Sequence, residues 1–359
     1  MKIPPSILML LLACSPMLAE EEVPDQPVAA WPDKPIPTER VLAHDPVMIR
    51  EGSTYYLFIT GPGITVWASE DNMQHWMRRP AVFDPYPAWV PEAIPDFAGH
   101  MWAPDIAYVN GRYHLYYSVS AFGKNTSAIG LATNVTLDPE SPDYKWVDHG
   151  KILQSYPGLT DWNAIDAQYI EDVDGVPYMA YGSFWSGLKL LKMTPDGMNL
   201  AECWQDPWPL ATRAYEAQTH DGEAATMVPG EGGIEAPFIY RRGEYFYLFA
   251  STGLCCRGPK STYKVVVGRS ENLHGPYFDQ DGISMLEGGG TIILEGNEDW
   301  YAVGHNSVYD FDGVDYIVFH GYEAVDERGL PRLRIEKLSW DEDGWPEVSQ
   351  KSASSCCSE

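Results

Sequence analysis

An all-β fold, a five-bladed β-propeller, is what the sequence predicts, and three observations carry the prediction. The 359-residue chain is 45% hydrophobic and 13% aromatic, with 22 Tyr, 13 Trp, 32 Gly and 29 Pro spread along its length, the composition of a turn-rich β domain. Five segments share one pattern: a polar or acidic residue inside a short apolar strand, a turn, then an aromatic-rich strand. No stretch carries a sustained helical period.

The chain starts with Met1-Lys2 and an apolar run from Ile7 to Ala13, the basic start and hydrophobic region of an export signal over residues 1–19. The string Leu11-Leu12-Ala13-Cys14 resembles a bacterial lipoprotein processing site, so Cys14 is expected to carry a lipid and anchor the protein at the cell surface or outer membrane. Plain secretion, or release to the periplasm after cleavage near Ala19, is the alternative. Residues 20–40 hold Pro24, Pro27, Pro32, Pro35 and Pro37 among acidic residues, as a spacer would. The folded domain is expected over residues 41–347, followed by a short tail over 348–359.

Within that domain the repeat unit recurs five times. It opens at His44-Asp45-Pro46, at Trp102-Ala103-Pro104-Asp105, at Asn163-Ala164-Ile165-Asp166, at Ile234-Glu235-Ala236-Pro237 and at Gly304-His305-Asn306-Ser307. The markers Asp45, Asp105, Asp166, Glu235 and Asn306 lie 60, 61, 69 and 71 residues apart, room for one four-stranded blade each. Asn110-Gly111, Asp174-Gly175 and Asp312-Gly313 are hairpin signals between first and second strands. Segments such as Ala128–Ala132, which includes Gly130, and Val265–Arg269 read as outer strands. Blades arranged radially bring their first strands to one axis, so carboxyls far apart in sequence converge there.

The net charge of −27 excludes an electrostatic nucleic-acid surface, which needs clustered Lys and Arg. A neutral polysaccharide is compatible with this surface, and a monomer is expected. The six cysteines show no zinc spacing, and their pairing is left open by the sequence. Nothing in the sequence calls for an organic cofactor.

Cleavage of a glycosidic bond uses two carboxyl groups, one protonated and one ionised. Asp45 and Glu235 each stand beside proline on an apolar strand, where poor solvation shifts a carboxyl pKa. Asp166, between Ile165 and Ala167, is a third acid whose charge would keep Glu235 protonated. A lone strand-end acid is ordinarily a turn cap, whereas three at matching places of a repeat point to one site. Asp105 is offset within its motif and reads as structural.

Together the strings above resemble glycoside hydrolase family 43. Ser118–Gly123, Gly182-Ser183-Phe184-Trp185-Ser186-Gly187, Cys255-Cys256-Arg257-Gly258 and Gly304–Val308 further resemble its endo-α-1,5-L-arabinanases. The resemblance covers roughly residues 41–347. It implies hydrolysis of internal bonds of arabinan with inversion, Asp45 acting as general base, Glu235 as general acid and Asp166 as pKa modulator. An inverting pair should stand roughly 6.5–9.5 Å apart. The resemblance also implies sugar contacts by His44, Trp102, Phe122, Gly130, Asn163, Ser183, Phe184, Trp185 and, from the Cys-Cys turn, Arg257. His305 alone reads as a hydrogen-bonding histidine; by resemblance it reaches a calcium ion on the propeller axis, although calcium prefers oxygen ligands. Trp162 and Ala167 replace the Phe and Pro more usual in this family, which bears on subsite shape. An exo-acting arabinofuranosidase or β-xylosidase, and a non-catalytic glycan-binding propeller, are the competing expectations.

Overall fold

Strand alternation and hairpin chemistry give a computed structural model with five antiparallel sheets in sequence order. The structure describes residues 34–201, 205–213, 233–325 and 327–349. The expected export signal with Cys14, most of the spacer and the tail from residue 350 lie outside the described residues.

We number the sheets as blades I to V. Their first strands are Val47–Glu51, His100–Val109, Gln168–Glu171, Ile234–Arg242 and Trp300–Phe311. Each first strand packs against the first strands of the two neighbouring blades, which closes a ring around a central axis. Second strands follow through tight turns. Asn110-Gly111 and Asp312-Gly313 have positive φ at both residues, the geometry a two-residue hairpin needs to match strand twist.

The core is divided among the blade interfaces. Separate apolar clusters lie between blades I and II, II and III, III and IV, IV and V, and V and I. That is the packing that five sheets stacked radially require, since each buries both faces. Trp162 belongs to the cluster between blades II and III, edge-on to Tyr181 at 5.4 Å between ring centroids. The Phe-to-Trp departure therefore falls on the core rather than on a subsite.

Two boundaries differ from the sequence reading. Ile36–Pro37 pairs with His75–Arg79 and adds an outer strand to blade I, so the end of the expected spacer is part of the propeller. Two prolines within three residues hid this edge strand, although proline is tolerated at a sheet edge where no ladder donor is needed. Next, Val41–Ala43 runs beside Pro331–Leu333 of blade V, with Leu333 N–H donating to Val41 O at 2.9 Å and Leu42 bridging Arg332. The segment leading into blade I thus completes the edge of blade V and locks the ring shut.

Candidate active site

One left-handed residue lies just before or within each first strand: Asp45, Ala103, Asp166, Ala236 and His305 have φ of 53°, 36°, 59°, 55° and 50°. In blades II, IV and V a bulge follows, displayed as a register shift between Trp102 and Asp105, Glu235 and Phe238, and Gly304 and Ser307. The backbone N–H of each left-handed residue is held by the preceding blade. Ala103 donates to Thr60 Oγ1 at 2.8 Å, Asp166 to Ser118 Oγ at 3.1 Å, His305 to Ser251 Oγ at 2.8 Å and Asp45 to His320 Nδ1 at 3.2 Å. In blade III the matching second-strand position is Gly182, which has no side chain to offer. There Asp166 itself accepts the Ala236 N–H through Oδ2 at 3.1 Å.

This ring corrects the marker set. Asp45, Asp166 and His305 are structural equivalents, Glu235 stands one residue before its left-handed neighbour, and the true counterparts in blades II and V are Ala103 and His305 rather than Asp105 and Asn306. Asp105 instead ties blade II to blade III, its Oδ2 accepting the Tyr169 N–H at 2.7 Å; burial pushes its carboxyl up to about 7.

Asp45, Asp166, Glu235 and His305 are all buried, each exposed by less than a tenth. Asp45 Oδ1 lies 3.0 Å from His305 Nδ1 and 2.9 Å from His44 Nδ1, and Asp45 Oδ2 accepts the Thr60 hydroxyl at 2.5 Å. Burial would raise the Asp45 pKa, but the charges and hydrogen bonds of His305 and His44 outweigh it and hold the carboxyl well below its usual range. Burial likewise works against a charged His305, yet Asp45 first, then Asp166 and Glu235, push it up to about 9. The buried His320 is driven well below its usual value by desolvation and by His44, and stays neutral.

Glu235 moves the opposite way. Burial raises its pKa, and the Asp45 charge adds to that, while Tyr263, Ser183 and His305 oppose it. Ser183 donates to Glu235 Oε2 at 2.7 Å. The Tyr263 hydroxyl stands close enough to pull the Glu235 pKa down without reaching hydrogen-bond geometry. Its ring lies against Gly304, where a Cβ would come within 2.1 Å of it. Asp166 is pushed up to about 8, by burial first and then by the charges of Glu235 and Asp45 against the pull of His305. The Asp45 charge raises both Glu235 and Asp166. The direct tie of Asp166 is to the backbone next to Glu235.

The expected sugar contacts separate into groups. Trp102 is half-buried next to Ala103, and Phe122 is 71% exposed on the turn between the second and third strands of blade II. Asn163 is buried with its side-chain oxygen unmatched by a protein donor. Phe184 and Trp185 are half-buried with φ of 55° and 40°, and the Phe184 N–H is taken by Ile234 O at 2.9 Å. Arg257 is exposed on the Cys-Cys turn. His44 has both ring nitrogens engaged by protein, Nδ1 with Asp45 and Nε2 with the Tyr322 hydroxyl at 2.8 Å, so it offers a sugar no polar atom. Ser183 is likewise turned to Glu235. Gly130 is a correction: it lies buried inside the third strand of blade II, where a Cβ would fall 2.4 Å from the Tyr117 ring, so it makes room for that ring instead of touching a ligand.

Among the described residues, His305 joins no group of three or more ligand side chains; the two such groups are His44 with Asp45 and His320, and His44 with Cys255 and Cys256. With Nδ1 facing Asp45, His305 has one nitrogen for a cation in its neutral form only, and no oxygen. That donor set does not build a calcium cage, and water would have to supply the rest of the shell.

Sequence reasoning missed Thr60, Ser118, Ser251 and His320. They share one signal, a polar residue late in the aromatic second strand or just past it, at the same offset in four of the five repeats. Tyr322 was missed as well, and it carries no such signal.

Two buried carboxyls on one axis, the pKa of Asp45 lowered and that of Glu235 raised, suit hydrolysis of a glycosidic bond, and glycoside hydrolase is the class that fold and site define. The chain belongs to family 43 of the glycosyl hydrolases, whose family model matches residues 34–346. It is 49% identical over 321 residues to an extracellular exo-α-(1→5)-L-arabinofuranosidase of Cellvibrio japonicus, covering 89% of this chain and 90% of that one. It is 39% identical to an extracellular endo-α-(1→5)-L-arabinanase of Bacillus subtilis, covering 85% and 87%. The solved α-L-arabinanase of Cellvibrio cellulosa complexed with arabinohexaose superimposes with a TM-score of 0.81 at 48% identity, over 86% of this chain and 96% of that one.

Proposed function

We infer that this protein is an exported arabinanase that hydrolyses linear α-1,5-L-arabinan with inversion. The observation that carries the reading is the convergence of two buried carboxyls on one axis, Asp45 set 3.0 Å and 2.9 Å from the His305 and His44 nitrogens and Glu235 accepting only the Ser183 hydroxyl among the described bonds, at 2.7 Å. Asp45 takes a proton from the attacking water as its oxygen bonds the anomeric carbon, and Glu235 gives its proton to the departing glycosidic oxygen. Asp166 holds the Ala236 N–H and so fixes the backbone that aims Glu235. Trp102 and Phe122 supply ring faces for sugars, and Asn163 an unmatched amide oxygen.

Internal cleavage is the primary reading, supported by the arabinanase motifs. Release from chain ends is the second, favoured because the 49% identical relative is named as exo-acting. Incubation with debranched arabinan and sizing of products over time decides. Early mixed oligomers mean internal attack, early uniform short product means attack from an end, and no release from arabinan overturns the proposal.

Calcium enters the proposal on the resemblance alone, with His305 as its one protein ligand and water as the others. No step above is routed through it. Attachment through a lipid on Cys14 is likewise proposed from the processing string.

A further inference from the structure

Cys255 and Cys256 are adjacent in sequence and are joined to each other by a disulfide. They sit on the turn between the second and third strands of blade IV, at the end of the propeller that carries the carboxyls. Cys255 packs against Tyr263, Ala302 and Tyr322, while Cys256 is exposed. Cys256 is left-handed, with φ 65°, a region that a residue with a Cβ keeps only when its surroundings hold it there. A ring closed across a single peptide supplies that restraint.

From this turn a run of hydrogen bonds reaches Asp45. The Cys256 N–H donates to the Tyr322 hydroxyl oxygen at 2.8 Å. That hydroxyl also meets His44 Nε2 at 2.8 Å and His320 Nε2 at 3.2 Å. With His44 neutral, one set of proton directions serves all of these contacts. Asp45 N–H donates to His320 Nδ1, so the remaining His320 proton sits on Nε2 and points at Tyr322. With two donors arriving, the Tyr322 hydroxyl gives its own proton to His44 Nε2, and His44 Nδ1–H donates to Asp45 Oδ1. The Cys256 sulfur backs the same imidazole, 3.8 Å from Nε2.

We propose that Tyr322 and the Cys255–Cys256 disulfide are positioning residues for Asp45, holding His44 in the tautomer and orientation that aim the carboxylate at water. Nothing in this set touches the reacting atoms; it acts through His44. The inference rests on the reading of Asp45 as general base. It also makes the enzyme sensitive to reductant: dithiothreitol delivers two electrons and two protons to the disulfide, leaves as its own cyclic disulfide, and frees the turn that presents the Cys256 N–H.

The test measures kcat and KM separately on arabino-oligosaccharides, with thermal melts beside them. Tyr322→Phe is expected to lower kcat about ten- to a hundredfold, the scale of a misplaced catalytic group, with KM within about threefold. Reduced wild type and Cys255→Ser/Cys256→Ser should share a smaller loss of kcat, about three- to tenfold, with reductant adding nothing to the double variant. If the double variant fails to fold, reduced wild type with an unchanged melt carries the comparison. Asp45→Asn separates the two readings. Turnover retained in Asp45→Asn overturns the base assignment itself; an inactive Asp45→Asn beside full kcat in Tyr322→Phe and in reduced enzyme overturns this inference alone.

Discussion

Thr60→Val tests how the Asp45 carboxylate is held ionised. The threonine hydroxyl donates to Asp45 Oδ2 at 2.5 Å and accepts the Ala103 N–H at 2.8 Å, so valine of the same shape removes two bonds at once. A hydrogen bond to a charged group contributes about 1.5–3 kcal/mol and a neutral one about 1 kcal/mol; with Thr60 only half-buried the sum is about 2–4 kcal/mol. Unfolding entropy near 2.1 cal/mol/K per residue over roughly 300 residues turns that into a melting shift of about 3–6 °C. The carboxylate also loses a donor that favours its charged form, so its pKa rises. Because Asp45 works ionised, the acidic limb of kcat/KM should move to higher pH, while Thr60→Ser keeps the wild-type limb. An unshifted limb in a folded Thr60→Val protein would refute the view that local donors set the state of Asp45.

Other outcomes follow from the same geometry. Glu235→Gln should lower turnover of arabinan about 10²–10⁴-fold, the usual scale for losing a general acid, yet spare aryl arabinofuranosides whose leaving groups need no proton, as parallel initial rates would show. In a pH-stability series by chemical denaturation, the depressed Asp45 contributes stability present above its unfolded pKa and lost as pH falls through its lower folded value. Glu235, raised on folding, has the opposite sign: its contribution is full below its unfolded pKa and fades as pH rises toward the folded one. Dialysis against EGTA should lower the melting temperature and added calcium restore it; a melt and a rate indifferent to both would remove calcium from the account.

Much of this was legible in the sequence because a repeat constrains position. The five openings, the hairpin dipeptides and the aromatic second strands placed the blades, and Asp45, Asp166 and Glu235 were found on one axis. What the sequence obscured was phase. In a strand a slip of one residue exchanges the two faces, and the left-handed residue at each blade entry resets the alternation. The repeat openings therefore marked Asp105 and Asn306, where the structure puts Ala103 and His305 in the ring. Contacts between blades were also hidden. His320 holds the Asp45 N–H and Tyr322 meets His44 from another blade, and no local pattern reveals a partner hundreds of residues away. Gly130 failed for a different reason: a glycine in a family-like setting can signal a ligand or a packed ring, and here the Tyr117 ring takes the space.

The claim on which the rest depends is that water activated by Asp45 attacks from the face opposite the bond that Glu235 protonates. Proton NMR of the reducing sugar first released from debranched arabinan reads that directly, before mutarotation mixes the anomers. The account predicts that the β-anomer appears first from the α-linked substrate. Initial release of the α-anomer would mean retention through a covalent intermediate, and would contradict it.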